Sequence, residues 1–165
     1  MNSNLNPSAQ KIQGELDKLG YNCKVIEFQG TTRTSADAAA RVGCSLSQIV
    51  KSLIFKGKNS NKPILVLTSG SNRVDIKKVN NLIGDTIERA DPEFVRKSTG
   101  FSIGGIPPIG HPTSLSTFMD EDLLKYDFVW AAAGTPNAVF KTTPQELLGM
   151  SSAKLANIKE INIPG

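Results

Sequence analysis

Apolar positions change period several times along the chain, and each change marks an element. From Ser8 to Leu19 they recur at Ile12, Leu16 and Leu19, a helical spacing that follows Asn6-Pro7 and stops at Gly20. Cys23 to Phe28 reads as a strand. Thr34 or Ser35 can cap a second helix reaching Val42, with Asp37 in its first turn and Gly43 ending it. Ile49 to Phe55 and Pro63 to Thr68 are the clearest strands, and the polar turn Lys58-Asn59-Ser60-Asn61 predicts an antiparallel hairpin. Asp75 to Leu82 reads as a short helix stopped by Gly84, and Asp91-Pro92 opens another through Lys97. Ser116 to Met119, Phe128 to Ala132 and Ala138 to Lys141 read as strands, with short helices over Asp120 to Lys125 and Pro144 to Leu148. Interleaved elements with a hairpin predict an α+β fold rather than a doubly wound sheet.

Length and charge narrow this further. At 165 residues the chain has room for one domain, expected over 1–165, around one core. No stretch approaches the roughly 18 apolar residues that span a bilayer, and MNSNLNPSAQ has neither the basic nor the apolar region of a secretory leader. A cytoplasmic protein with no membrane partner is expected. Cys23 and Cys44 fit no metal-ligand spacing and read as two buried, unpaired thiols. The net charge of +4 mildly favours a polyanionic partner. Basic residues are spread along the chain without forming an arm, so phosphate contacts should be few and binding salt-sensitive.

The usual catalytic signatures are thin: one histidine, no HExxH, no GxSxG, no GxGxxG and no Walker A sequence. Two places still draw attention. Lys51 sits in IVKSLIF, where strand alternation puts it on one face with Ile49, Leu53 and Phe55. An ammonium there must find an anion, reach water along its stem, or lose its proton. Val50 and Ile54 make the opposite face apolar too, which hinders escape to solvent. The second place is TGFSIGGIPPIGHP, Thr99 to Pro112. Its glycines let backbone approach a ligand and its prolines stiffen the loop, so it can aim amides at a carbonyl oxygen or serve as a tight surface turn.

The strand IVKSLIF, the segment SGSNRVDIKKVNNLIG, the run RKSTGFSIGGIPPIGH and AAAGTPNAVFKTTPQEL follow in an order and spacing that resembles the YbaK/ProX family of aminoacyl-tRNA deacylases. The resemblance runs from about Thr34 to Leu148. It implies a single compact α+β domain with a mixed, partly closed sheet flanked by helices, like the editing domain of bacterial prolyl-tRNA synthetases. It implies hydrolysis of the ester joining a mischarged amino acid to the 3′-terminal adenosine of a tRNA. Aminoacyl-tRNA is then the partner, with an aminoacyl-tRNA synthetase as a second candidate.

By this resemblance Lys51 matches the family's essential lysine, and Gly104, Gly105, Ile106, Pro107 and Pro108 match its GxxxP loop, whose amides face the substrate carbonyl. Water is activated with help from a ribose hydroxyl, so neither a protein nucleophile, a metal nor a cofactor is implied. A bulky residue at Gly105 is then expected to lower the rate and spare the fold. Thr34, Asn137 and His111 join the site as substrate-binding candidates; Tyr21 and Ser52 could also line it. Asn137-Ala138-Val139-Phe140 lacks the acidic residue of cysteine-specific members, and Pro107 stands where several members have Ser. Ala, Ser or Thr is therefore preferred over Cys as cargo. Two other classes stay open on the residues: a non-catalytic module binding tRNA or a synthetase, and a hydrolase of small esters.

Overall fold

Side chains that replace missing backbone partners set the helix ends in the computed structural model, which describes residues 5–30, 32 and 34–161. Helix α1, Pro7–Lys18, starts where the Asn6 side chain accepts from the Ser8 amide. Helix α2, Ser35–Val42, opens on a reciprocal box between Thr34 and Asp37 and closes on left-handed Gly43. Asp75 and Asp91 cap α3, Ile76–Ile83, and α4, Pro92–Thr99. A second reciprocal box, Thr143 with Glu146, opens α5, Pro144–Ser151.

The expected hairpin is present. Strands β2, Val50–Gly57, and β3, Pro63–Ser69, pair antiparallel from Val50 opposite Ser69 to Lys56 opposite Pro63. They occupy the middle of a five-stranded sheet. On one side lies β4, Ile87–Arg89; on the other, β5, Ser116–Asp120, and β8, Lys154–Ala156, both run parallel, so the sheet is mixed. A separate antiparallel sheet holds β1, Val25–Glu27, β7, Ala138–Thr142, and β6, Val129–Ala132, in that order. One parallel bridge, Ile49 to Trp130, joins the two sheets and makes the closure partial.

The pattern of β3 explains the layering. Leu65 and Leu67 enter a core with Ile12 and Leu16 of α1, Met119 and Phe140, while Ile64 and Val66 enter a second cluster with Val79, Ile87 and Phe118. Both faces are buried, and the strand is accordingly apolar from Pro63 to Leu67. A smaller cluster of Ala38, Ala39 and Ile49 seats α2 against Trp130.

Both edges of the small sheet are occupied. Beside β1, the Gln13 side chain accepts from the Val25 amide at 2.8 Å and donates to the Cys23 carbonyl at 3.0 Å. Beside β6, Gln48 donates to the Phe128 carbonyl at 3.1 Å, next to the Ile49 bridge.

Differences from the sequence reading have local causes. Strands β4 and β8 are three-residue pieces with exposed polar members, too short for alternation to announce. The Cys23–Phe28 strand shrinks to Val25–Glu27, because Gln13 supplies the hydrogen bonds at its start. Asp120 caps a 3-10 turn over Glu121–Lys125 rather than joining a helix. Cys23 is buried as expected, but Cys44 is only half-buried, beyond the end of α2, with its thiol donating to the Ser45 carbonyl. No helix among the described residues is long and apolar enough to cross a membrane.

Candidate active site

At the seam between the two sheets lies a cavity of about 200 Å³. Its walls come from four stretches distant in sequence: Thr32 and Thr34 before α2, Lys51 and Ser52 on β2, Gly104 and Ile106 of the glycine-proline loop, and Trp130, Ala132 and Val139 of the small sheet.

Strand alternation puts Lys51 on the face of Leu53 and Phe55, opposite Val50 and Ile54. Its Nζ donates to the Asn72 carbonyl at 2.7 Å. Burial, helped by the Arg73 guanidinium, holds the Lys51 pKa below its ordinary value against the pull of Asp120. Asp120 is fully buried and well satisfied. One carboxylate oxygen accepts from Thr68 Oγ1, the Ser69 amide and Asn72 Nδ2, at 3.1, 3.1 and 2.8 Å. The other accepts from the Asp122 amide. Asn72 Nδ2 also reaches Asp122, which Lys159 contacts at 2.7 Å. Asp120 thus fixes Asn72, and Asn72 fixes Lys51. The sequence reading gave none of Asn72, Arg73 and Asp120 a place in the site. A usable signal existed for Asp120: a carboxylate in phase with buried Phe118 on β5.

The loop divides between two places. Ser102 to Gly105 form a turn in which the Gly105 amide donates to the Ser102 carbonyl at 3.1 Å and Gly104 takes φ of +94°. Gly105 also accepts from the Gly134 amide at 3.0 Å. Its backbone is therefore spent inside the protein, and a Cβ there would meet the Thr135 backbone at 2.7–2.9 Å. The close approach expected toward a ligand is an approach to Thr135. Gly104 and Ile106 line the cavity instead, and among the described residues nothing accepts from their amides.

Pro107 is buried, while Pro108 and His111 line a different hollow beside α1. His111 Nε2 lies 2.8 Å from the Pro107 carbonyl oxygen, which can only accept, so Nε2 carries the proton. Asn137 stands behind the cavity wall: its Oδ1 accepts from the Thr32 amide at 2.9 Å and its carbonyl accepts from Phe28. Thr34 lines the cavity while its Oγ1 caps α2. Tyr21 packs on the main core. Among the described residues two buried side-chain oxygens have no partner, Thr32 Oγ1 and Ser52 Oγ, and both residues face this cavity.

Burial pushes the His111 pKa below 6.5, reinforced by Lys11 and opposed by the Pro107 contact. The unfolded chain then binds a proton that the folded chain refuses, so stability falls as pH drops from about 6.5 toward the lowered folded value. A lower Tm at pH 5.5 than at 7.5 is expected, with a smaller drop in His111→Gln. Equal drops in both proteins would refute the assignment.

Residues 29–150 match the model of the aminoacyl-tRNA editing domain, and the chain belongs to that family. A crystal structure titled as a putative trans-editing enzyme for prolyl tRNA synthetase superposes with a TM-score of 0.90 at 49% identity, over 94% of this chain and 99% of that one. The YwhH protein of Bacillus subtilis (strain 168) is 34% identical over 131 residues, 79% of this chain and 83% of its own length. A protein of Enterococcus faecalis named as a putative Cys-tRNA(Pro)/Cys-tRNA(Cys) deacylase, EbsC, is 25% identical over 145 residues, 87% of this chain and 88% of its own.

Proposed function

We propose that this chain is a free-standing deacylase that hydrolyses the ester of mischarged aminoacyl-tRNA. One observation carries the reading: Lys51, Gly104 and Ile106 line one small cavity of a chain belonging to the editing family, and among the described residues nothing accepts from the Gly104 and Ile106 amides. In the proposed reaction Lys51 orients the aminoacyl-adenosine end, and water adds to the ester carbonyl. The Gly104 and Ile106 amides hold the developing oxyanion. Collapse of the tetrahedral intermediate frees the amino acid, and the leaving ribose oxygen takes up the proton released by water. Asn137 acts as a positioning residue through Thr32. Pro107, Pro108 and His111 support the loop from outside the cavity.

Cavity size and chemistry favour a small cargo bearing a hydroxyl. About 200 Å³ lies below the roughly 300 Å³ at which ordinary small-molecule pockets begin, so the aminoacyl end enters and most of the adenosine stays outside. Thr32 Oγ1 and Ser52 Oγ are buried without partners among the described residues, and a bound hydroxyl satisfies them where a methyl group leaves them unpaired. Ser or Thr is therefore preferred over Cys, because a thiol hydrogen-bonds weakly. Purified protein is to be assayed against tRNAs charged with Ala, Ser, Thr, Cys and Pro. Hydrolysis of Ser- or Thr-tRNA at least about tenfold faster than Cys-tRNA is expected, from roughly one hydrogen bond of discrimination. Fastest cleavage of Cys-tRNA rejects the preference, and no cleavage of any of them rejects the activity.

A further inference from the structure

The outer face of the small sheet carries a pattern that its own packing does not use. Register places Ile26 opposite Val139, Val139 opposite Ala132, and Lys141 opposite Trp130. Directly opposed residues share a face, and so do residues two apart, so Phe128 and Phe28 belong to it as well. Val139, Ala132 and Trp130 line the candidate active cavity. Moving away from it, Trp130 also borders a second hollow of about 370 Å³ with Lys24, Ile26, Phe128 and Lys141. The cavity wall and this hollow are thus one surface with Trp130 at the turn between them.

Two features of the hollow ask for a ligand. Ile26 and Phe128 are each 44% exposed, which leaves an aliphatic side chain of β1 and an aromatic immediately before β6 facing solvent next to Trp130. Lys24 falls one residue beyond the Val25–Phe140 pair, which brings it level with Lys141, and both lysines line the hollow. Like charges facing each other across strands are unfavourable without an intervening anion. Lys141 Nζ already lies 4.2 Å from the Phe128 ring centroid, stacking cation on aromatic. Of the strand residues on this face none is acidic; Glu146 borders the hollow from α5, with Oε1 already accepting from the Thr143 amide.

Resting on the deacylase reading above, we infer that this face is the track for the single-stranded 3′ end of the tRNA. The terminal adenosine enters at the cavity, and the nucleotides before it cross Trp130 toward Phe128 and Ile26. Bases stack on the aromatic rings, and Lys24 and Lys141 take the phosphates. This is the arrangement by which exposed aromatics on a sheet bind unpaired nucleotides, and it needs no basic arm. Each two-residue step along β6 moves about 6.6 Å from the cavity, so the track from Ala132 to Phe128 is about 13 Å long.

Phe128 and Lys141 are exposed and lie outside the cavity, so Phe128→Ala and Lys141→Ala are the variants to test. Each is assayed with a charged tRNA and with the same amino acid esterified to adenosine alone. KM for charged tRNA is expected to rise about tenfold in each at unchanged kcat, the size of effect that one lost stacking contact produces. Cleavage of the aminoacyl-adenosine should stay at the wild-type rate. Lys141→Ala should also flatten the dependence of log KM on log salt by about 0.7, one phosphate contact on a single strand. Wild-type KM for charged tRNA in both variants overturns the track, as does an equal loss on both substrates. If the wild-type chain itself leaves every charged tRNA intact, the deacylase reading fails first and the track with it. If the wild type is active and both variants match it, only the track fails.

Discussion

Lys51→Ala is expected to keep the fold and to lose at least about a hundredfold in kcat/KM on charged tRNA, the scale on which a positioned group contributes. The loss follows from geometry. The ammonium is held by the Asn72 carbonyl at 2.7 Å, and Asn72 is held in turn by buried Asp120. Without Lys51, no other lysine among the described residues lines the cavity. Stability should not follow activity, because burial already disfavours the charged lysine. The sign is testable. A folded pKa below 10.5 means that wild-type stability rises with pH between that lowered value and 10.5, where the unfolded chain still binds the proton. The variant should lack this rise. Melting curves at pH 7 and pH 10 and single-turnover deacylation separate the two effects; activity within a factor of about two of wild type would exclude Lys51 from the chemistry.

Gly105→Val should damage the fold before it damages the chemistry. A side chain at Gly105 would stand 2.7–2.9 Å from Thr135 backbone atoms, which cannot swing away as a flexible side chain could. Overpacking of this kind costs about 1–3 kcal/mol, and valine's branch adds to it. For a chain of this size the expected drop in Tm is about 2–12 °C. Activity measured well below the new Tm should fall as well, since the Gly105 carbonyl anchors the loop to Gly134. Gly104→Ala provides the contrast: φ of +94° strains any side chain, but its nearest neighbour is a proline carbon at 3.6 Å. Wild-type melting of Gly105→Val would show that the loop does not pack on Thr135 in solution.

What the sequence disclosed and withheld follows the range of the interactions. Caps and turns are local, so Thr34, Asp75, Asp91 and the left-handed glycines at 43 and 84 could be placed from a few neighbouring residues. β3 was legible because burial on both faces leaves an unbroken apolar run. Lys51 stood out as a charge among apolar neighbours. The residues that aim it did not, since Asp120 gathers Thr68, Ser69 and Asn72 across separations of 48 to 52 positions. Gly105 misled for a similar reason. A glycine signals that something comes close, but not whether the visitor is substrate or backbone, and here it is Thr135. His111 follows the loop in sequence yet points to the Pro107 carbonyl, on the side away from the cavity.

The small sheet has one further property. An unpaired strand edge is a template on which another molecule's strand can add. Here glutamine side chains cap both margins: Gln13 reproduces a neighbouring strand's donor and acceptor beside β1, and Gln48 donates beside β6. A surface that leaves Ile26 and Phe128 exposed can therefore remain available to a ligand without inviting polymerisation, because two side-chain amides, Gln13 and Gln48, keep its margins closed.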